Sequence, residues 1–414
     1  MRLSVKALLL IAAALIAYLP HRMRAASLLF SGGEPYYHLS HGTVGMIIKS
    51  LSSHSGINLE LVSLALPIAL GLACTLLFME ILKKLGLGYR ETIITACIFI
   101  LSPSFLFLFA TLNAYAFAAS IMLLSAYFML CNRKLAAIAL LYALPLFGTM
   151  PFIAAMMLLA IDRLKAKDIK AVLIALPSIA VLLFARQEML RSYGSFISDF
   201  GGRYGLGLFI IILAFFGLME VWKEKYRHLQ LYLSLIALFI LAALDIRMLS
   251  LASMPLCALA AIGILGEIRA EWQSVVIKTL TILILVCGIV FSAFSYATFL
   301  SRDMPNSEVI GAITKLKEMP QGIVLSEGTR VFWAEAAGKG FIADDWLLHM
   351  RSPEEAKKTI NDKSIKYIWI DKDMEYTIWE SEDEGMLYLL KYGTEDFHVA
   401  YSNDYVTIYE VGAL

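Results

Sequence analysis

The chain has 414 residues, 59% of them hydrophobic and only 17% charged, with a formal net charge of +1. Soluble proteins carry charge on about a quarter of their residues because their surfaces meet water, so a mean hydropathy of +0.73 excludes that class for most of this chain. The balanced charge leaves no basic field for a nucleic-acid partner.

Crossing the hydrocarbon of a bilayer takes about 20 apolar residues in a helix. In chain order, apolar runs of that kind lie near 5–19, 61–82, 92–110, 113–131, 135–148, 150–162, 170–185, 204–222, 229–244, 248–266 and 274–299. This reading gives about eleven transmembrane helices. The first run, behind Arg2 and Lys6, resembles a secretory signal, but no small-residue cleavage site follows it directly. It is therefore read as an uncleaved first helix. The fifth and sixth runs are short and broken by Pro145, Gly148 and Pro151, a pattern that also suits a re-entrant hairpin.

Orientation follows from lysine and arginine, which favour cytoplasmic loops. With the N-terminus inside, the cytoplasmic set includes Lys6, Lys83, Lys84, Arg133, Lys134, Arg163, Lys165, Lys167, Lys223, Lys225 and Arg269. The basic residues of that side outnumber those of the other by roughly two to one. An odd number of crossings then places residues 301–414 outside the cytoplasm. Two outer segments are long, about 20–60 and 186–203. The first contains Val44, Ile47, Ile48 and Leu51 at the period of a helix lying on the membrane surface.

Residues 1–300 thus form a membrane domain and 301–414 a separate one. In the latter, helical patterns at Asn306–Met319, Pro353–Asn361 and 383–391 alternate with strand patterns at Gly322–Ser326, Lys366–Ile370, Phe397–Tyr401 and Tyr405–Glu410. The cysteines, Cys74, Cys97, Cys131, Cys257 and Cys287, all fall in or beside apolar runs, which leaves no disulfide or zinc spacing in this α/β domain.

Chemistry-bearing residues concentrate on the outer side. No Asp, Glu or His lies at the centre of a span, and no repeat pairs the spans. Both features argue against a transporter or lipid flippase, which needs a polar path across the bilayer. The first outer loop reads Glu34-Pro35-Tyr36-Tyr37-His38-Leu39. A carboxylate held there can act as a general base or bind a divalent metal, and the tyrosines and histidine offer surface for a sugar or phosphate. The alternative is an acidic helix cap beside interfacial tyrosines. Glu34, His38 and His41 also fall at i, i+4 and i+7, a spacing that could present metal ligands on one helix face. Arg247, at the outer end of the ninth run, can clamp a lipid-linked phosphate; its alternative is a local pair with Asp245 or a side chain reaching the interface. The charged, glycine-bearing segment 186–203 reads as a solvated loop.

This order of features resembles the GT-C membrane glycosyltransferases, and most closely the catalytic subunit of the archaeal and bacterial oligosaccharyltransferases. The likeness rests on Glu34-Pro35-Tyr36-Tyr37-His38, on Pro103-Ser104-Phe105, on Arg247-Met248 before Met254-Pro255-Leu256, and on a C-terminal extracytoplasmic α/β domain. The resemblance implies a polytopic α-helical enzyme of the cell membrane with a C-terminal α/β domain. Its donor would be a sugar on a polyprenyl phosphate or diphosphate, and its acceptor a protein or a lipid. It assigns the catalytic carboxylate to Glu34 and substrate contacts to Tyr36, Tyr37, His38 and Arg247. Glu34, with His38, would also hold a divalent cation such as Mg or Mn. Two family motifs are not matched. The family's second acidic pair corresponds to Asn113-Ala114-Tyr115, and its acceptor-reading Trp-Trp-Asp-Tyr-Gly has Phe332-Trp333-Ala334-Glu335-Ala336 as its nearest counterpart. Those departures fit a related GT-C enzyme that moves one sugar, or a non-catalytic paralogue of the same fold.

Overall fold

The computed structural model describes residues 3–24, 59–110, 113–165, 196–200, 205–224, 229–302, 307–327, 337–350, 352–379, 385–392 and 396–412, with a few shorter pieces between them. The chain divides into two compact units, with the break at Ser301/Arg302. Each unit has its own hydrophobic core.

The first unit is helical. Its elements are α1 (Leu3–Arg24), α2 (Leu59–Lys84), α3 (Tyr89–Ile100), α4 (Pro103–Phe109), α5 (Ala114–Leu130), α6 (Lys134–Leu141), α7 (Thr149–Lys165), α8 (Leu208–Trp222), α9 (Leu229–Leu244), α10 (Leu249–Arg269) and α11 (Val275–Arg302). Among the described residues, three helices are long and apolar enough to cross a membrane: Leu64–Lys84, Ile246–Arg269 and Val275–Ser301. The pair α3 and α4, bent by 65°, makes a fourth if it is one span. Most of the other expected crossings are present as shorter apolar helices, and 170–185 lies outside the described residues. Among the described residues, three or four helices thus reach full spanning length, and the expected count of about eleven is not confirmed.

Local chemistry explains the shortening. Pro103 has no amide hydrogen to donate to the preceding turn, so α3 ends and α4 begins there. The Ser102 hydroxyl serves both sides of the break, donating to the Phe99 carbonyl at 2.7 Å and accepting from the Phe105 amide at 3.1 Å. Every residue of α4 is buried, and Phe78, Phe99, Phe105 and Phe109 form a chain of rings 5.1–5.3 Å apart. The break expected at Pro145 and Gly148 is also present. α6 stops at Leu141, a short 3-10 turn covers Leu144–Leu146, and Gly148 takes a φ of +154° before α7 starts.

α10 is the axis of the unit. Of the central window of Ile246–Arg269, 83% is buried, against 22% for Val275–Ser301. α8 and α10 touch backbone to backbone: a Cβ on Gly217 would stand 1.9 Å from the Leu259 carbonyl oxygen, and one on Gly263 2.2 Å from that of Leu213. Small residues permit this approach between helices in lipid, where packing replaces the hydrophobic drive. α11 shows the opposite character, exposing Val276, Leu280, Leu283, Ile284 and Phe291. An apolar stripe of that length suits acyl chains rather than water. At one end of the unit, Glu80 accepts from Lys6 at 3.0 Å and Lys83 at 2.7 Å, tying α1 to α2, while Arg269 pairs with Glu91 at 3.0 Å. Three basic residues assigned to one side by charge counting thus share that end.

The second unit is an α/β layer. Its elements are α12 (Ser307–Glu318), β1 (Ile323–Ser326), β2 (Gly340–Ala343), α13 (Asp345–Leu348), α14 (Pro353–Asp362), β3 (Ile365–Asp371), α15 (Lys372–Thr377), α16 (Gly385–Tyr392), β4 (Phe397–Ser402) and β5 (Val406–Val411). The sheet order is β2-β1-β3-β5-β4. β2 and β3 flank β1 in parallel, and β5 and β4 complete the sheet antiparallel. The expected helices and strands at Asn306–Met319, Gly322–Ser326, Pro353–Asn361, Lys366–Ile370 and the C-terminal hairpin all form, within a residue or two at their ends. Ser352 precedes α14 without a side-chain cap; Pro353 at the first helical position sets the start instead. β2 was missed because four residues, Gly-Phe-Ile-Ala, partly exposed at the sheet edge, carry no alternating pattern.

Candidate functional site

Arg247 sits in a 3-10 turn, Ile246–Met248, between α9 and α10. Asp245 makes that turn: its Oδ1 accepts from the Arg247 amide at 3.1 Å, as an N-cap does. The same carboxylate then receives the guanidinium as a fork, Nε on Oδ1 at 2.9 Å and Nη2 on Oδ2 at 2.9 Å. A planar guanidinium matches two carboxylate oxygens in this way and an ammonium cannot. The next turn is fastened by Ser250, whose hydroxyl donates to the Arg247 carbonyl at 2.7 Å, and by Ser253 donating to Ser250 at 2.7 Å.

A residue from far along the chain completes the cluster. Tyr115, in the first turn of α5, donates its hydroxyl to Asp245 Oδ2 at 2.5 Å, and its ring lies 5.0 Å from the Arg247 guanidinium carbon. Asp245 is buried, with 1% of its surface exposed, whereas the Arg247 side chain keeps 27%. A carboxylate taken out of water needs such donors to remain charged. The arrangement thus presents one cation, held by buried groups, at a partly open position. The local pair with Asp245, left open as an alternative above, exists, and it leaves the guanidinium partly exposed.

Asn113 places Tyr115. Its Oδ1 accepts from the Ala116 amide at 2.9 Å, capping α5, and its amide nitrogen donates to the Phe107 carbonyl at 2.9 Å. The stretch that stands where the resembled family has its second acidic pair is thereby committed to a helix cap and a phenol. Its oxygens are directed to protein partners, and the neighbouring Asp245 carboxylate is filled by Arg247 and Tyr115. This donor set does not fit a divalent cation. Among the described residues, no group of three or more His, Cys, Asp or Glu is placed to hold a metal.

Glu34, Tyr36, Tyr37 and His38, with His41, lie outside the described residues. Of the expected site residues, Arg247 is therefore the one whose surroundings are visible. Sequence reasoning missed Tyr115 as a member of its site. The available signal was a tyrosine where the resembled family carries an acid. Pro103-Ser104-Phe105 is a buried turn that ends α3 and starts α4.

The second unit has a related cluster. Arg330 donates from Nε to Asp371 Oδ2 at 2.8 Å and from Nη2 to Oδ1 at 3.0 Å, and its guanidinium carbon lies 4.5 Å from the Trp333 ring centre. Trp369 donates from Nε1 to Asp371 at 3.2 Å, and Asp371 caps α15 through the Met374 amide at 3.1 Å. Asp371 ends β3, so the cluster sits at the carboxyl ends of the parallel strands, where open α/β sheets form their crevices. Here the ion pair fills that position, with Arg330 only 5% exposed. Trp333, from the stretch nearest to the family's acceptor motif, is buried against Trp369, ring centres 5.6 Å apart. Phe332, Glu335 and Ala336 of that stretch lie outside the described residues.

Solved structures share this architecture. The oligosaccharyltransferase of Archaeoglobus fulgidus in its apo form superposes with a TM-score of 0.55 at 14% identity, over 89% of this chain and 70% of that one. The chain shares the fold of that enzyme. The archaeal enzyme in complex with an inhibitory peptide and a dolichol-phosphate matches at 13% identity and a TM-score of 0.53, over 89% of this chain and 70% of that one. The mycobacterial arabinofuranosyltransferase AftD matches at 14% identity and a TM-score of 0.50, over 100% of this chain and 40% of that one. No family model and no curated protein matches the sequence.

Proposed function

We propose that this chain is an integral membrane glycosyltransferase that takes sugar from a polyprenyl phosphate or diphosphate and passes it to a protein or lipid acceptor on the outer face of the cell membrane. The reading is supported by the fold and carried by one observation, the partly exposed guanidinium of Arg247 held by the buried Asp245. Transfer breaks the bond between the anomeric carbon and the phosphate oxygen, and negative charge gathers on the departing phosphate. A fixed cation there stabilises the transition state more than the ground state. Glu34 takes the proton from the acceptor nucleophile or orients it, and Tyr36, Tyr37 and His38 are assigned to substrate binding. Glu34 and His38 are the residues that would hold a divalent cation.

The test is to incubate the protein in lipid with radiolabelled polyprenyl-phosphate sugars and follow their consumption. Loss of label from the lipid, abolished in Arg247→Ala, supports the proposal. An Arg247→Ala protein that consumes donor at the wild-type rate refutes the role of that residue. The second reading, a non-catalytic paralogue, is favoured by the capping role of Asn113 in place of an acid. It predicts donor binding without consumption.

A further inference from the structure

We propose that Tyr115 and Asp245 are positioning residues that set the plane and reach of the Arg247 guanidinium toward the donor phosphate; this rests on the reading of Arg247 given above. Three observations carry it. First, the Asp245 carboxylate receives two N–H groups of the guanidinium and the Arg247 backbone amide, so the side chain is tied to its own turn at two points and the backbone at a third. An arginine that merely reached the interface would need no such anchoring, because its stem would suffice. Second, the Tyr115 hydroxyl reaches the same carboxylate from 130 residues away, at 2.5 Å. That bond ties the turn between α9 and α10 to the first turn of α5. Third, the Tyr115 ring stands beside the guanidinium, 5.0 Å from its carbon, where a cation and an aromatic face attract. Carboxylate and ring together leave the fork few orientations. A preorganised charge needs no reorientation when the leaving phosphate develops its own, which is the origin of its catalytic value.

Tyr115 acts through Arg247 and is the informative target. Tyr115→Phe keeps the ring and removes one hydroxyl, so the helix and its packing persist. The experiment uses the full chain in phosphatidylcholine nanodiscs and radiolabelled decaprenyl phosphate as the probe. Binding is measured for wild type, Arg247→Ala, Arg247→Lys, Tyr115→Phe, and Tyr115→Phe combined with Arg247→Lys, with melting temperatures alongside. The expected result is a loss of affinity of about tenfold in Tyr115→Phe, the scale of one hydrogen bond to a charged group. In the Arg247→Lys background the same change is expected to have no further effect on binding, since the fork that it positions is gone. A purely structural tyrosine would lower the melting temperature equally in both backgrounds and leave this coupling at zero. Additive losses, or wild-type binding by Tyr115→Phe, would overturn the positioning role while leaving Arg247 in place. Wild-type binding by Arg247→Ala would remove the functional reading itself, and the positioning role with it. Asp245→Glu, which moves the carboxylate by one methylene, serves as the second variant and is expected to weaken binding with the charge retained.

Discussion

Removing the Arg330 side chain isolates the energetics of the second unit. In Arg330→Met, Asp371 keeps its buried position, 1% exposed, but loses both guanidinium bonds, at 2.8 and 3.0 Å. The Trp369 and Met374 N–H groups remain on the carboxylate, and they are neutral donors. Breaking one partner from a buried pair costs about 3–5 kcal/mol, because the remaining charge has lost its compensation. A domain of this size is stable by about 5–15 kcal/mol in total, so the change removes a large share. The assay is hydrogen exchange of the β3 and β1 amides in the full chain, read by mass spectrometry. Protection of Ile365–Asp371 is expected to fall by about two to nearly four powers of ten, at about 1.4 kcal/mol for each. Adding Asp371→Asn removes the stranded charge and keeps one oxygen for the Met374 amide, while Trp369 loses its acceptor, so it should recover part of the loss. A fall below tenfold in Arg330→Met, or a double variant worse than the single, would refute the assignment of this pair as a compensated buried charge.

Three further outcomes are expected. Glu34→Ala should abolish sugar transfer without changing membrane insertion, checked by donor consumption and by protease protection of the C-terminal unit. Gly217→Ala places a methyl group 1.9 Å from the Leu259 carbonyl oxygen. It should force α8 from α10 and cost about 1–3 kcal/mol, read as a lower melting temperature in nanodiscs. Chelation with EDTA should leave decaprenyl-phosphate binding unchanged, because the positive charge of the described cluster belongs to Arg247; a loss restored by Mn would overturn that.

Breaks in the helices were legible because they are local. Pro145 and Gly148 act on their own turns through a missing amide hydrogen or a positive φ, and the chain breaks where they stand, whereas the break at Pro103 falls inside a run read as one span. The strands of the second unit other than β2 were legible for the same reason, β3 above all, since Tyr367-Ile368-Trp369-Ile370 is buried throughout. The lengths of the apolar helices were not. Hydropathy measures how apolar a run is, while Ser102, Asn113 and Asp245 cut the helices with caps whose partners are single hydrogen bonds.

The amino-acid order by itself determined that this chain is membrane-embedded helix followed by an α/β domain, because burial of apolar side chains and backbone sterics are decided within a few turns of each residue. Only the tertiary structure decided that Tyr115 meets Asp245, and that Arg330 meets Asp371. Such pairs depend on which helix ends and strand ends converge in space, and nothing in the neighbourhood of either partner encodes the other. Arg247 stands between the two cases: its place at a helix end and its neighbour Asp245 could be read directly, but the phenol that joins them became visible once the chain had folded.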